Sequence, residues 1–263
     1  MGPSMRPFLV PRTRPHTRLD GTYSLPIDSL GEEEVEDEKK RLTLVPKRNF
    51  GPPAAPFCVY RIHEGRLHVP RFYGIQRFGP PEEDARSDGD AIALRFDAEL
   101  RDVQTRALAA LFTGPFREGG DGGGMTVIPC GMGKTVLAIA SIARLGRKAG
   151  VLVHTSVLKS QWKASIEQFC PGVRVGYVQG NTFDVDDKDV VIMMVQTVAK
   201  RQFAPEELAS FGVLVVDESH HLAAPMLSSA LPCFRARYGL ALTATKERAD
   251  GLTPLLHWAM GPE

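Results

Sequence analysis

The stretch Ile128-Pro129-Cys130-Gly131-Met132-Gly133-Lys134-Thr135 follows a predicted strand, Met125–Pro129, and opens a predicted helix, Thr135–Arg147. This strand–loop–helix junction restricts the chain more than any other segment. A loop turning there with glycines at two positions presents consecutive backbone N–H groups, and the following helix adds the positive end of its dipole, so the junction can wrap a phosphate. Gly131 and Gly133 are needed because side chains would block the approach. Pro129, Cys130 and Met132 complete the wall, Lys134 is placed to reach β- and γ-phosphates, and the Thr135 hydroxyl is a ligand for Mg²⁺. The strict spacing G-x-x-x-x-G-K-[ST] wants glycine where Ile128 stands. A bare GKT recurs by chance, so the strand and helix around it carry the argument. Cys130 reads most simply as a small loop residue.

Around this junction the chain alternates short β-branched runs with helical patterns, the signature of βαβ units on a parallel sheet. The predicted strands are Met125–Pro129, Gly150–His154, Val173–Val178, Val190–Val195, Val213–Asp217 and Tyr238–Leu242, with helices over Thr135–Arg147 and Val157–Phe169. The run from Gly119 to Gly124 reads as a flexible loop. Three regions follow. Residues 1–41 are expected to be a flexible charged tail, with Arg6, Arg12, Arg14 and Arg18 among prolines and then the acids Glu32 to Glu38. Such a tail is a solvated passenger, a basic arm for phosphates or a transit segment. Residues 42–92 are expected to be a small β-rich element and a linker, and residues 93–263 an α/β domain. With 263 residues, 43% apolar, the chain can bury one substantial core and an appendage.

A net charge of +1 excludes a general polycation that coats nucleic acid, although a local basic track remains possible. The four cysteines, Cys58, Cys130, Cys170 and Cys233, are too dispersed for a zinc pair and point to a reducing compartment. No apolar run approaches the roughly 18 residues of a membrane span. The expectation is an intracellular protein, nuclear or viral, with no membrane partner.

Two further strand ends carry chemistry. Val213-Leu214-Val215-Val216 runs into Asp217-Glu218-Ser219-His220. An acid at the end of a strand near a phosphate loop holds Mg²⁺, and the carboxylate beside it is placed to orient or deprotonate the attacking water. Taken alone, Asp217 and Glu218 would merely cap a strand. The strand Tyr238–Leu242 ends in Thr243-Ala244-Thr245, whose hydroxyls can relay a hydrogen-bond signal between two sites or simply make a turn.

The order IPCGMGKT, VVDESHH, LALTAT resembles motifs I, II and III of the superfamily 2 helicases, and DESH resembles their DExH group. The resemblance covers roughly residues 42–263. It implies a RecA-like P-loop lobe with a mainly parallel sheet flanked by helices, ATP and Mg²⁺ as cofactors, and catalysis by Lys134, Asp217 and Glu218. Leu100-Arg101-Asp102-Val103-Gln104 resembles the family's Arg-x-x-Gln element, in which Gln104 would read adenine. Leu152-Val153-His154-Thr155 resembles motif Ia, and Val195-Gln196-Thr197 a second backbone-contacting motif. Thr155, Gln196 and Thr197 would therefore touch nucleic acid, and His220, Thr243 and Thr245 would couple it to ATP. Leu158-Lys159-Ser160-Gln161-Trp162 is similar to the "LxxQW" of the XPB-like branch. Thr243 to Gly251 is similar to its "TATPxRxDG", with Lys246 in place of proline. Val69-Pro70-Arg71-Phe72-Tyr73-Gly74 resembles a "VPRYYG" segment of helicases of large DNA viruses.

The resemblance implies a motor that closes two RecA-like lobes on ATP, the second supplying arginine fingers. The chain ends at Glu263 without a second βα series, so the expectation is one lobe that binds ATP, hydrolyses it poorly and takes its second lobe from a missing C-terminal segment or another chain. DNA is the expected nucleic acid ahead of RNA. The other readings are a nucleotide-dependent binding module that never unwinds, a lobe of a restriction or remodelling translocase, or an RNA helicase.

Overall fold

The charged stretch expected as a mobile tail is folded from residue 14 onward in the computed structural model, which describes all residues except 1–13, 48–53, 130, 205, 219–221, 246 and 249. Strands β1 (Arg18–Leu19) and β2 (Tyr23–Pro26) pair antiparallel, and helix α1 (Glu32–Arg41) follows. The charge run is what makes α1. Glu32, Glu33 and Glu34 occupy its first turn and Lys39, Lys40 and Arg41 its last, complementing both ends of the helix dipole. Strands β3 (Thr43–Leu44), β4 (Phe57–Cys58), β5 (Arg61–His63) and β6 (Arg66–Val69) are the expected β-rich element. Helix α2 (Arg71–Phe78) and strand β7 (Glu83–Asp84) complete the unit. The sheet order is β5-β6-β2-β1-β7, so part of the expected linker, β7, is an edge strand parallel to β1. The expected boundary at residue 42 therefore cuts through this small unit. Its core holds Leu19, Tyr23 and Leu25 from the supposed tail together with Leu67, Val69 and Phe78.

The larger unit contains α3 (Asp102–Thr113), β8 (Gly123–Val127), α4 (Lys134–Leu145), β9 (Ala149–Val153), α5 (Ser156–Phe169), β10 (Val175–Gln179), β11 (Thr182–Phe183), β12 (Val190–Met194), α6 (Val195–Lys200), β13 (Val213–Val216), α7 (Ala224–Ala230), β14 (Tyr238–Thr243) and α8 (Thr253–Met260). Its strands run in the order β11-β10-β12-β9-β13-β14-β8, parallel throughout except for β11. The six predicted strands are present, each within two residues of its expected ends. They are legible because a parallel strand covered on both faces reads as a continuous apolar run. Val213 and Val215 enter one core with Val151, Val153, Ile192 and Trp162. Leu214 and Val216 enter the other with Leu152, Met193, Phe211 and Phe234. This two-residue alternation of side chains is what lets one sheet hold two cores. Each fully buried Val or Leu contributes about 1.5–3 kcal/mol.

The segment Val69 to Gly74 fastens the small unit to the large one. Arg71 is half-buried and donates through Nη1 to the Ala236 carbonyl at 2.8 Å and through Nη2 to that of Phe234 at 2.6 Å. Burial lowers its pKa to about 10. Tyr73 meets Trp258 of α8 edge-on at 5.1 Å. The Phe72 ring lies over Gly123, where a Cβ would come within 2.1 Å of it. The end of the glycine run, expected as a loop, is thus the start of β8, a strand kept bare for an aromatic neighbour. Among the described residues, no helix is long and apolar enough to cross a membrane.

Candidate active site

Three neighbouring strands, β8, β14 and β13, end side by side, and the loops leaving their C-terminal ends bring the sequence-distant signatures together. This edge is where open α/β sheets bind ligands. The loop after β8 is stitched to the end of β14 by Ile128 N–H donating to the Thr243 carbonyl at 3.1 Å. Gly131 (φ 77°) and Gly133 (φ 83°) turn it through the left-handed region, which glycine adopts without strain. Gly133 has a second reason. A Cβ there would lie 2.1 Å from Gln104 Nε2.

Gln104 is buried and braces the cradle. Its Nε2 donates to the Gly133 carbonyl at 3.0 Å and more weakly to that of Met132 at 3.4 Å, while its Oε1 accepts the Arg101 backbone N–H at 2.8 Å. Lys134 starts α4 with its Nζ 3.3 Å from Glu218 Oε1. Thr135 follows it on the first turn. Cys130 and His220 lie outside the described residues, as does Lys246.

Asp217 is 3% exposed. Burial, the leading cause, raises its carboxyl above the ordinary value; the Trp162 indole N–H lowers it and the neighbouring Glu218 charge raises it further. Trp162 Nε1 donates to Asp217 Oδ2 at 2.7 Å, and Glu218 N–H donates to Oδ1 at 2.9 Å. Glu218 itself is held at φ 48°, a conformation that costs a non-glycine residue about 1–2 kcal/mol. Strain of this kind persists only where surrounding contacts over-determine it. Thr243 is buried; its hydroxyl donates to the Thr245 carbonyl at 2.9 Å and accepts the Thr245 N–H at 3.2 Å. The Thr245 hydroxyl donates to Glu247 O at 3.2 Å.

Thr155, Gln196 and Thr197 follow β9 and β12, which are paired, so the three share one stretch of the same edge. Each is tied into local structure. The Thr155 hydroxyl caps α5 by accepting Leu158 N–H at 3.2 Å, Gln196 Nε2 donates to the His154 carbonyl at 2.8 Å, and Thr197 Oγ1 accepts Gly180 N–H at 3.0 Å.

Sequence reasoning assigned no role to two residues at this site. Trp162 was visible only as part of a resemblance. Arg248 pairs with Asp250 at 2.6 Å and donates from Nη2 to the Leu222 carbonyl at 2.7 Å, tying the loop after β14 to the loop after β13. Nothing in residue spacing signals either contact.

The family model described as type III restriction enzyme, res subunit, matches residues 97–248. Over 240 residues the chain is 28% identical to a protein of Acanthamoeba polyphaga mimivirus named as an ATP-dependent RNA helicase, L396, covering 89% of this chain and 46% of that one. It is also 28% identical to the DNA 3'-5' helicase XPB of Mycobacterium tuberculosis, over 72% of this chain and 35% of the relative. The chain thus spans less than half the length of these curated relatives. Among solved structures, the UvsW helicase of bacteriophage T4 superposes with a TM-score of 0.60 at 14% identity, covering 88% of this chain and 93% of that one. The Sulfolobus solfataricus SWI2/SNF2 ATPase core, solved in complex with dsDNA, gives 0.52 at 19% identity over 64% of this chain and 37% of that one. These two share the fold. With the cradle, the paired acids and the matched span in hand, the chain belongs to the type III restriction enzyme res-subunit family and carries an ATP-dependent helicase/translocase domain of superfamily 2.

Proposed function

We propose that this chain is the ATP-binding lobe of a DExH-type motor that moves along nucleic acid, DNA ahead of RNA, and that residues 93–263 form that lobe while the small unit before it serves as a docked accessory. The observation that carries the reading is the 3.3 Å approach of Lys134 Nζ to Glu218 Oε1, which joins the phosphate cradle to the DESH acids across the end of β14.

The donor set fits a nucleoside triphosphate with a hard cation. The loop from Gly131 to Thr135 offers backbone N–H groups and a helix N-terminus, Lys134 offers an ammonium, and Thr135 and Asp217 offer oxygen ligands of the kind Mg²⁺ takes. When bound, Mg²⁺ supplies charge neutralisation to the β- and γ-phosphates. Lys134 binds the same phosphates, leaving Glu218. Glu218, so released, orients the attacking water and accepts its proton. Gln104 braces the cradle and faces the adenine side. His220, Thr243 and Thr245 pass the nucleotide state toward Thr155, Gln196 and Thr197, which contact the nucleic-acid backbone. The arginine beside the cradle, Arg101, has its Nη1 3.5 Å from the Gly131 carbonyl. Low turnover by this chain alone, and a second RecA-like lobe as its partner, are part of the proposal.

Titration of the 263-residue chain with a fluorescent ATP analogue and Mg²⁺ tests the reading. Charge-assisted hydrogen bonds contribute about 1.5–3 kcal/mol, so Lys134→Ala should weaken binding by about 10- to 100-fold. Equal affinity for wild type and variant would overturn it.

A further inference from the structure

Trp162 is 1% exposed and is the largest of the fully buried side chains. Apolar burial accounts for its ring. It does not account for where the N–H points. An indole nitrogen can only donate, and here it donates at 2.7 Å to a carboxylate 55 residues further along the chain, Oδ2 of Asp217. That length is typical of a charge-assisted bond.

The other oxygen of the same carboxylate is also engaged. Oδ1 accepts the backbone N–H of Glu218 at 2.9 Å, and Asp217's own N–H donates to the Leu152 carbonyl at 3.1 Å, so its main chain is fixed against the end of β9. The torsion that swings a carboxylate about its Cβ–Cγ bond is otherwise broad. With one donor on each oxygen, from two different elements, it is fixed. Each oxygen accepts in two lone-pair directions, so both remain able to bind a further group. The indole reaches Asp217 because α5, rising from the end of β9, lays Trp162 over β13 within a core that also holds Val153, Ile166 and Val215.

We propose that Trp162 is a positioning residue for the metal acid: its indole N–H fixes the Asp217 carboxylate in the orientation that holds Mg²⁺ beside the phosphate cradle. This rests on Asp217 being the metal acid in the function proposed above. Hydrogen bonds behind a metal ligand typically govern about 10- to 100-fold in metal affinity. The sequence places no such requirement on the position, since Phe or Leu would satisfy an apolar core equally well.

The test separates the N–H from the ring. In a Trp258→Phe background, leaving Trp162 as the remaining tryptophan, benzothienylalanine is incorporated at 162; it keeps the bicyclic shape and replaces N–H with sulfur. Trp162→Phe and Asp217→Asn are made in parallel. A fluorescent ATP analogue is titrated into each 263-residue protein with and without Mg²⁺, and the Mg²⁺ concentration giving half the metal-dependent gain in affinity is read. The expected result is Mg²⁺-free binding unchanged in the analogue protein, with the half-maximal Mg²⁺ concentration raised about 10- to 100-fold, and native behaviour with Trp162 in the same background. An unchanged Mg²⁺ dependence in the analogue protein, alongside its loss in Asp217→Asn, would reduce Trp162 to a core filler. Mg²⁺ dependence that survives Asp217→Asn would instead remove Asp217 as the metal acid and this inference with it.

Discussion

Lys134 and Glu218 face each other at 3.3 Å, with side chains 8% and 20% exposed, across the end of β14. In this arrangement the residue that should grip the nucleotide is held by the residue that should activate water. Phosphate and Glu218 therefore compete for the ammonium. Glu218→Gln keeps the shape and removes the competing charge. The expected outcome is nucleotide affinity equal to or above wild type, with ATP turnover, read as phosphate release from a protein that carries both RecA-like lobes, reduced about 10²- to 10⁴-fold. Weakened binding would show that the pair organises the cradle rather than restraining it.

Asp217 gives a pH-dependent stability with a definite sign. Burial raises its carboxyl in the folded state above the ordinary value of 3.8. The folded chain therefore binds that proton more tightly than the unfolded chain. The stabilisation this brings is fully present below the unfolded value and lost as pH rises through the folded one. At pH 7 the buried carboxylate is a net cost. Asp217→Asn keeps one of the two accepted bonds, that from Trp162, loses the desolvated charge and should melt at a higher temperature than wild type at pH 7, the gap closing as pH falls through the carboxylate range. Thermal melts of both proteins across that range check it; an equal or lower melting temperature for the variant at pH 7 would contradict it.

Gly133 and Gln104 form a steric pair. Alanine at 133 must adopt φ 83°, at about 1–2 kcal/mol, and its Cβ meets Gln104 Nε2 at 2.1 Å. Gly133→Ala should lower stability and nucleotide affinity together. Adding Gln104→Ala should recover the steric share and leave the backbone share. A double-mutant cycle with no coupling between the two would mean that Gln104 does not brace the loop.

The parts legible in the sequence were those in which a local pattern has one structural meaning. Val213-Leu214-Val215-Val216, short and mostly β-branched, reads as a strand buried on both faces, as it is, and a glycine-flanked loop between strand and helix admits few conformations. The parts that were not legible depend on contacts between distant residues. The acids from Glu32 to Glu38 read as solvated because blocks of like charge usually are. Glu38 is in fact fully buried, accepting from Tyr73 and, at 2.7 Å, from Arg77, both on α2. Helix α2 was hidden because eight residues beginning Arg71-Phe72-Tyr73-Gly74 also suit an irregular connection; its burial against β2 and α8 decides the matter. The Trp162–Asp217 bond spans two elements, and no spacing rule predicts it.

The shared edge after β9 and β12 leads to the last prediction. Thr155, Gln196 and Thr197 are uncharged, and their side chains already hold the edge together through Leu158, His154 and Gly180. If they also contact a nucleic-acid backbone, the contacts are hydrogen bonds to phosphate or sugar, which orient the strand without reading bases. The salt dependence of binding, by contrast, comes from cations displaced by lysine and arginine. The two contributions are therefore separable. Gln196→Ala combined with Thr197→Val should weaken binding by a similar factor for unrelated sequences, while the slope of log affinity against log salt stays at the wild-type value because no charge has been removed. Fluorescence anisotropy with labelled single-stranded and duplex DNA, and with RNA of matching sequence, over a series of salt concentrations measures both quantities. A change confined to one sequence would assign these residues to base recognition. Unchanged affinity on every substrate would return them to the plainer role of polar strand ends, and a larger loss on RNA than on DNA would overturn the preference for DNA.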